Sequence, residues 1–279
     1  MTALERPRGD RFVRDEAAAL TPAGRVGGGE AAALTPAGRA GEGEAAALAL
    51  ADPAAAPHAS PLPADALYGR LLASAVAHLL GDGPEPHARL RLADGRLEPL
   101  PLDRWVAPAD ETDIAVLEGV EAPVLDLGCG PGRHLAALRK AGKRGLGVDL
   151  SPVAVRLARG RGADAINGSL WSQVPRAGSW RTILLLDGNI GIGGAPILLL
   201  RRAAELLAPA GAIVVETDPR GAPTARVKVR LEAPGVVSEW FRWARVGVDG
   251  VAEVAARAGL EVEAVRVLAG RTFVTLRRL

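Results

Sequence analysis

Glycines at alternate positions and carboxylates at the ends of apolar runs are where this sequence could do chemistry. Asp126-Leu127-Gly128-Cys129-Gly130-Pro131-Gly132 follows the apolar pair Val124-Leu125 and leads into a helical pattern with Leu135 and Leu138. Glycine opens backbone conformations closed to other residues and lets a ligand lie against the main chain. A helix beginning there points free N–H groups at polar or anionic ligand atoms, at the edge of a parallel sheet. About twenty residues on, Asp149 closes a second apolar run, where a carboxylate can accept hydrogen bonds from ligand hydroxyls. A fourth run, Thr182-Ile-Leu-Leu-Leu, ends in Asp187-Gly188-Asn189. Asp187 or Asn189 could orient an acceptor or act as a base there; the alternative is a polar strand end bonding the neighbouring loop.

The spacing separates ligand classes. Dinucleotide-binding chains show Gly-x-Gly-x-x-Gly without an acid before it, whereas here an acid stands two positions ahead of the first of three alternate glycines. On these residues the sequence resembles the class I S-adenosylmethionine-dependent methyltransferases, a Rossmann-like superfamily, and within it the small-molecule type found in bacteria. The resemblance covers roughly residues 118–279. It implies that Asp126, Gly128, Cys129, Gly130 and Gly132 hold the methionine end of the cofactor, that Asp149 takes the ribose hydroxyls and that Leu150 lines the adenine. Where the family often has an acid for the adenine amino group, this chain reads Gly168-Ser169-Leu170. Ser169 and Leu170 are then the adenine contacts, and Asp187 faces both cofactor and acceptor. The Pro-Pro-aromatic signature of many amino-group methyltransferases is missing after the fourth strand. The activity implied is methyl transfer to an O, N or C nucleophile of a small molecule, which needs alignment more than an obligatory catalytic triad. Two other readings stay open: a non-catalytic cofactor-binding module for regulation or assembly, and a nucleotide-binding oxidoreductase, against which the glycine spacing speaks.

The elements that must position these residues follow from the hydrophobic pattern. From Val124 onward apolar runs and helical stretches alternate, which argues for a parallel sheet covered on both faces. The strands read are Val124–Asp126, Gly145–Asp149, Ala163–Asn167, Thr182–Asp187 and Ala212–Thr217, closed by Leu260–Val267 and Thr272–Leu276. Helices run from Ser151-Pro152 to about Arg159 and over Pro196–Leu207 and Val251–Ala258, with Pro209-Ala-Gly211 as a turn. The expected fold is α/β, a doubly wound seven-stranded sheet, mostly parallel with an antiparallel last strand. A small N-terminal cap precedes it over residues 58–117. It comprises a helix with apolar positions from Leu67 to Leu79, a hairpin turning at Asp94-Gly95, and a helix from Asp110 to about Glu118 capped by Asp110 or Thr112.

Residues 1–57 carry a repeat: Glu-Ala-Ala-Ala-Leu starts at Glu16, Glu30 and Glu44, a fourteen-residue spacing. Each unit has one leucine and the first two end in Pro and Gly, too little to bury a face, so the stretch reads as a low-complexity disordered tail. Between the fifth strand and the last helix, Arg220–Arg245 holds six basic residues and Trp240-Phe241-Arg242-Trp243. An aromatic and cationic lid fits a planar or acidic small molecule, with Trp240, Arg242 and Trp243 as acceptor contacts; the plainer alternative is a hairpin packing its tryptophans on the sheet.

Composition bounds the rest. A net charge of +2 gives no field that argues for nucleic acid. The single cysteine, Cys129, excludes an internal disulfide framework, and the four scattered histidines show no metal-ligand spacing, so no metal is expected. The most apolar stretch, Ile183–Leu200, is broken by Asp187, several glycines and Pro196, so it is no membrane span. The expectation is a soluble cytoplasmic enzyme acting on a small molecule, with its oligomeric state open.

Overall fold

A computed structural model describes residues 60–279. The repeats of residues 1–57 lie outside the described residues. Strands β3 (Val124–Leu127), β4 (Gly145–Asp149), β5 (Ala165–Asn167), β6 (Trp180–Leu185) and β7 (Leu207–Thr217) run parallel. Strands β11 (Leu260–Leu268) and β12 (Arg271–Arg278) complete a seven-stranded sheet in the order β11-β12-β7-β6-β3-β4-β5. Only β12 is antiparallel to its neighbours β7 and β11. The central strands are apolar throughout because both faces are covered: Val124, Leu125, Ile183, Leu184 and Leu185 are all 0% exposed. The chain winds outward from β3 through β4 to β5, then returns to β6 and β7 on the other side. That reversal opens a crevice beyond the carboxyl ends of β3 and β6, the place where open α/β sheets bind ligands.

Helices α3 (Glu111–Glu118), α4 (Arg133–Lys140) and α5 (Pro152–Gly160) bury Val116, Leu117, Leu135, Leu138 and Val155 in one cluster with Val124 and Leu184. Asp110 starts α3 with a reciprocal cap: its Oδ1 accepts from Asp113 N–H at 2.7 Å, and its own N–H reaches Asp113 Oδ2 at 3.3 Å. Ser151 caps α5 ahead of Pro152 as expected. Helices α6 (Pro196–Leu206) and α7 (Val248–Arg257) belong to the second half.

The chain outside this sheet differs from the expectation. The hairpin β1 (Arg89–Leu92) and β2 (Leu97–Pro99) turns at Asp94-Gly95, but it continues into a second antiparallel sheet, β10-β8-β1-β2. The added strands are β8 (Ala225–Ala233) and β10 (Phe241–Arg245), with the short β9 (Val236–Val237) alongside β8. Leu90 pairs with Leu231, so the cap and the late insert share one hydrogen-bonded layer. On it pack α1 (Ala64–Leu79) and a five-residue helix, α2 (Leu102–Val106), which the sequence pattern did not show; Leu67, Leu72, Leu102 and Val106 form a second core with Leu231. Pro209-Ala-Gly211 is a bulge inside β7, since Trp180 pairs with Leu207 but Thr182 pairs with Ala212. No helix of the described residues is long and apolar enough to cross a membrane.

Candidate active site

The loop after β3 is built on left-handed backbone: φ is +78° at Gly128, +52° at Gly130 and +77° at Gly132. Gly128 and Gly132 also leave no room for a side chain. A Cβ on Gly128 would lie 2.7 Å from Asn189 Nδ2, and one on Gly132 2.7 Å from Ala158 Cβ and 3.0 Å from Ala158 Cα. Asn189 donates from that nitrogen to the carbonyls of Leu127 (3.0 Å) and Gly128 (2.9 Å), so it braces the loop. Gly132→Ala is therefore expected to cost about 2–4 kcal/mol, left-handed strain plus overpacking against α5. Gly142→Ala, at φ +71° with nothing within 4 Å, should cost only the backbone part. Urea unfolding of the two variants checks the difference.

Asp149, at the end of β4, holds the loop from the other side. Its Oδ2 accepts from Gly130 N–H at 2.9 Å and its Oδ1 from Ser151 N–H at 2.8 Å. Burial pushes its carboxyl above the ordinary value, the two amides oppose this, and the charges of Asp126 and Asp65 add to the rise. Leu150 beside it is 59% exposed at the cavity edge. Asn167 pins this corner through its side-chain amide to the carbonyls of Asp149 and Leu150. Ser169 and Leu170 line the same wall; Ser169 Oγ accepts from Trp171 N–H at 3.2 Å. Cys129 is buried, with its thiol pushed far up by burial and by Asp126, which leaves it a small space-filling side chain. Tyr68 of α1 closes over the loop, its hydroxyl 3.0 Å from where a Gly130 Cβ would stand; burial raises it well above the ordinary tyrosine value.

Behind the loop lies a cluster of charges. Asp113 accepts from Arg133 Nε (2.9 Å) and Arg271 Nη1 (2.8 Å), and lies 3.4 Å from His134 Nε2. Arg133 reaches across to Asp187 with Nη1 at 2.5 Å and Nη2 at 3.0 Å, Arg104 also donates to Asp187, and Arg271 grips Glu216 with two bonds of 2.8 and 2.9 Å. Burial works against the His134 imidazolium, but Asp113 and Asp126 outweigh it and push the group up to about 9. Four carboxylates, those of Asp113, Asp126, Asp187 and Glu216, are thus balanced by three guanidiniums and one imidazolium.

Two assignments made from the sequence change here. Asp126 is 1% exposed and does not line the cavity; its Oδ2 lies 3.7 Å from His134 Nδ1, because the charge cluster draws it behind the loop. Asp187 does line the cavity, but Arg133 and Arg104 hold its carboxyl below the ordinary value against the pull of burial, which makes it a poor base.

The second sheet roofs the site. Val227, Val229 and Leu231 of β8, and Phe241 and Trp243 of β10, face the cavity, with Val229 opposite Phe241 and Val227 opposite Trp243. The expected acceptor contacts Trp240 and Arg242 do not line it. Trp240 is 45% exposed under the guanidinium of Arg230, and Arg242 falls on the exposed positions of β10 while Trp243 falls on the cavity positions, as strand alternation requires. Arg245 faces the cavity already bound, to Asp218 through Nε and Nη2 at 2.8 Å each and to Glu98 through Nη1 at 2.9 and 2.8 Å. Tyr68, Arg104 and Glu216 join the site without having been picked out in the sequence, and Phe241 joins it from the aromatic run in which only its neighbours were named as contacts. Glu216 carried the signal that identified Asp149, a carboxylate near the end of an apolar strand; Tyr68 and Arg104 carried none.

Between the strand ends and this roof lies a cavity of about 520 Å³, within the range of small-molecule sites. Six carboxylates and three guanidiniums line it, with His134. Residues 124–211 match the methyltransferase domain family. The chain is 30% identical over 139 residues to the trans-aconitate 2-methyltransferase of Paracidovorax citrulli, an alignment covering 47% of this chain and 54% of that protein, so it spans about half the length of the curated relative it matches. Its fold is similar to a methyltransferase of Bacteroides fragilis in complex with S-adenosyl-L-homocysteine, at TM-score 0.64 and 21% identity over 78% of this chain and 98% of that one. It is also similar to the CcbJ methyltransferase of Streptomyces caelestis, at TM-score 0.50 and 18% identity over 62% and 92%. Over residues 124–211 the chain is therefore similar to the methyltransferase domain family, and its seven-stranded sheet has the fold of these solved methyltransferases.

Proposed function

We propose that this protein transfers the methyl group of S-adenosylmethionine to a small molecule held under the second sheet. The observation that carries the reading is Asp149, a carboxylate fixed by Gly130 and Ser151 at the mouth of a glycine loop that opens into the cavity. The residues present fit that cofactor. Asp149 would take the ribose hydroxyls, Leu150 and Leu170 the faces of the adenine, and Ser169 a polar edge of it. The start of α4, where Gly132 offers no side-chain cap, would take the carboxylate of the methionine end. A cavity with more carboxylates than guanidiniums suits a ligand of net positive charge. The cofactor, when bound, supplies an electrophilic methyl carried on a sulfonium.

What this chain's residues do is hold and align. Asn189, Asp149 and Tyr68 fix the loop, the charge cluster keeps Asp187 ionised and occupied, and the roof keeps water from the acceptor. With Asp187 unsuited as a base, the acceptor's own nucleophile, whether O, N or C, reacts by being brought into line, its proton passing to solvent. Isothermal titration tests the reading: S-adenosylhomocysteine is expected to bind at submillimolar concentration and NAD not to bind. Absence of binding by both S-adenosylmethionine and S-adenosylhomocysteine overturns it. Binding without turnover across a screen of metabolites with labelled methyl donor assigns a non-catalytic module instead.

A further inference from the structure

We propose that the acceptor is an uncharged, ring-bearing and largely apolar molecule, and not a carboxylic acid. The inference deepens the methyl-transfer reading and rests on it. With the donor across the ends of β3, β4 and β5, the acceptor's share of the cavity is bounded by Asp187–Ile192, Glu216–Asp218 and the roof. The roof is an apolar ladder: Leu90, Val227, Val229, Phe241 and Trp243 come from three adjacent strands and face the cavity together. Phe241 and Trp243 meet edge to face at 6.2 Å, an arrangement that leaves aromatic surface for a third ring.

Cations are present at this end, and each is ion-paired, although Arg104 keeps a buried Nε with no hydrogen-bond partner among the described residues. Arg245 is gripped from two sides by Asp218 and Glu98. Arg133 and Arg104 are held by Asp187 within a cluster whose charges balance. The basic residues Arg226, Lys228, Arg230 and Arg242, which made the insert look cationic in the sequence, do not line the cavity. A carboxylate entering here would leave water for a space offering no surplus positive charge, and burying an uncompensated charge is strongly unfavourable. A hydroxyl or amine meets no such penalty. Thr217 offers one a partner, since its Oγ1 is buried at the cavity wall with no hydrogen-bond partner among the described residues. The curated relative is named for trans-aconitate, a carboxylic acid, which makes that compound the contrasting acceptor class to test.

The test uses the full chain loaded with S-adenosylhomocysteine, titrated calorimetrically with 2-naphthol and, separately, with trans-aconitate. Naphthol is expected to bind at submillimolar concentration and trans-aconitate to give no heat. Trp243→Ala should weaken naphthol binding at least tenfold, and Trp243→Phe, which keeps an aromatic face, less than threefold; circular dichroism and the S-adenosylhomocysteine titration report whether each variant is folded. Releasing Arg245 with Glu98→Gln and Asp218→Asn together should confer measurable trans-aconitate binding that the unaltered chain lacks. Trans-aconitate binding to the unaltered chain overturns the proposal, as does naphthol binding that is absent or indifferent to Trp243→Ala. Failure to bind S-adenosylhomocysteine at all is a different result: it removes the methyl-transfer reading, and this proposal with it.

Discussion

Asp149→Ala will weaken S-adenosylhomocysteine binding about a hundredfold, while Asp149→Asn will weaken it about tenfold. The carboxylate spends one hydrogen bond of each oxygen on the protein, Oδ2 on Gly130 N–H and Oδ1 on Ser151 N–H, and each oxygen keeps a lone pair for the cavity. Hydrogen bonds to a charged acceptor are worth roughly 1.5–3 kcal/mol each, so losing two of them accounts for about two orders of magnitude. Alanine also releases Gly130 N–H, and with it one hold on a residue at φ +52°. Asparagine keeps one acceptor oxygen and gives up the charge. Because burial, with Asp126 and Asp65, raises the Asp149 carboxyl above its ordinary value, binding should also weaken with acid sooner than an ordinary aspartate predicts. Calorimetric titrations of the three proteins across a pH series measure both effects. An alanine variant that binds as tightly as the unaltered chain would show that Asp149 serves the loop alone.

The parts of this site that were legible in the sequence are those written in short range. Val124–His134 is strand, turn and the start of a helix within about ten residues, and each glycine marks a turn that no other residue makes without strain. Asp149 and Glu216 announce themselves by closing apolar runs. The doubly wound sheet is legible for the same reason, as alternating elements with short connections. What stayed hidden depends on pairing across long separations. The Asp94-Gly95 hairpin is local, but its partner β8 lies well over a hundred residues on, and only the register Leu90↔Leu231 makes the cap and the insert one roof. The same pairing sets the phase of β10. From sequence, Trp240, Arg242 and Trp243 are equivalent members of one aromatic and basic run; the register against β8 turns Trp243 inward and Arg242 outward, and Trp240, just before the strand, also stays off the cavity wall. Arg133 was hidden differently, as a cation in the first turn of a helix, where side chains are commonly solvated. It is 5% exposed because Asp113, from the preceding helix, and Asp187, from the end of β6, converge on it.

That convergence carries the largest expected effect on stability. Asp113→Ala will cost about 3–5 kcal/mol, because removing one member of a buried ionic group strands the charges it served. Asp113 is 1% exposed and accepts from Arg133 and Arg271, so both guanidiniums lose a partner at once, and α3 loses the far half of its capping box. Against a total of about 5–15 kcal/mol for a domain, the loss is large enough to lower the melting temperature on the order of 10 °C. The charge, not the shape, is what matters, and Asp113→Asn separates them by keeping the side chain's volume and one acceptor oxygen. It should remain destabilised by about half as much or more. His134 adds a pH signature. Its folded value of about 9 lies above the ordinary 6.5, so its contribution is complete below about 6.5 and is lost as pH rises through about 9. For the unaltered chain this amounts to about 3 kcal/mol between those limits, read by urea unfolding at several pH values. Since Asp113 and Asp126 together support the imidazolium, the pH slope should flatten in part in both variants. An Asp113→Asn protein as stable as the unaltered chain, with the slope intact, would mean that the hydrogen bonds alone hold this cluster and that its charges are balanced without being needed.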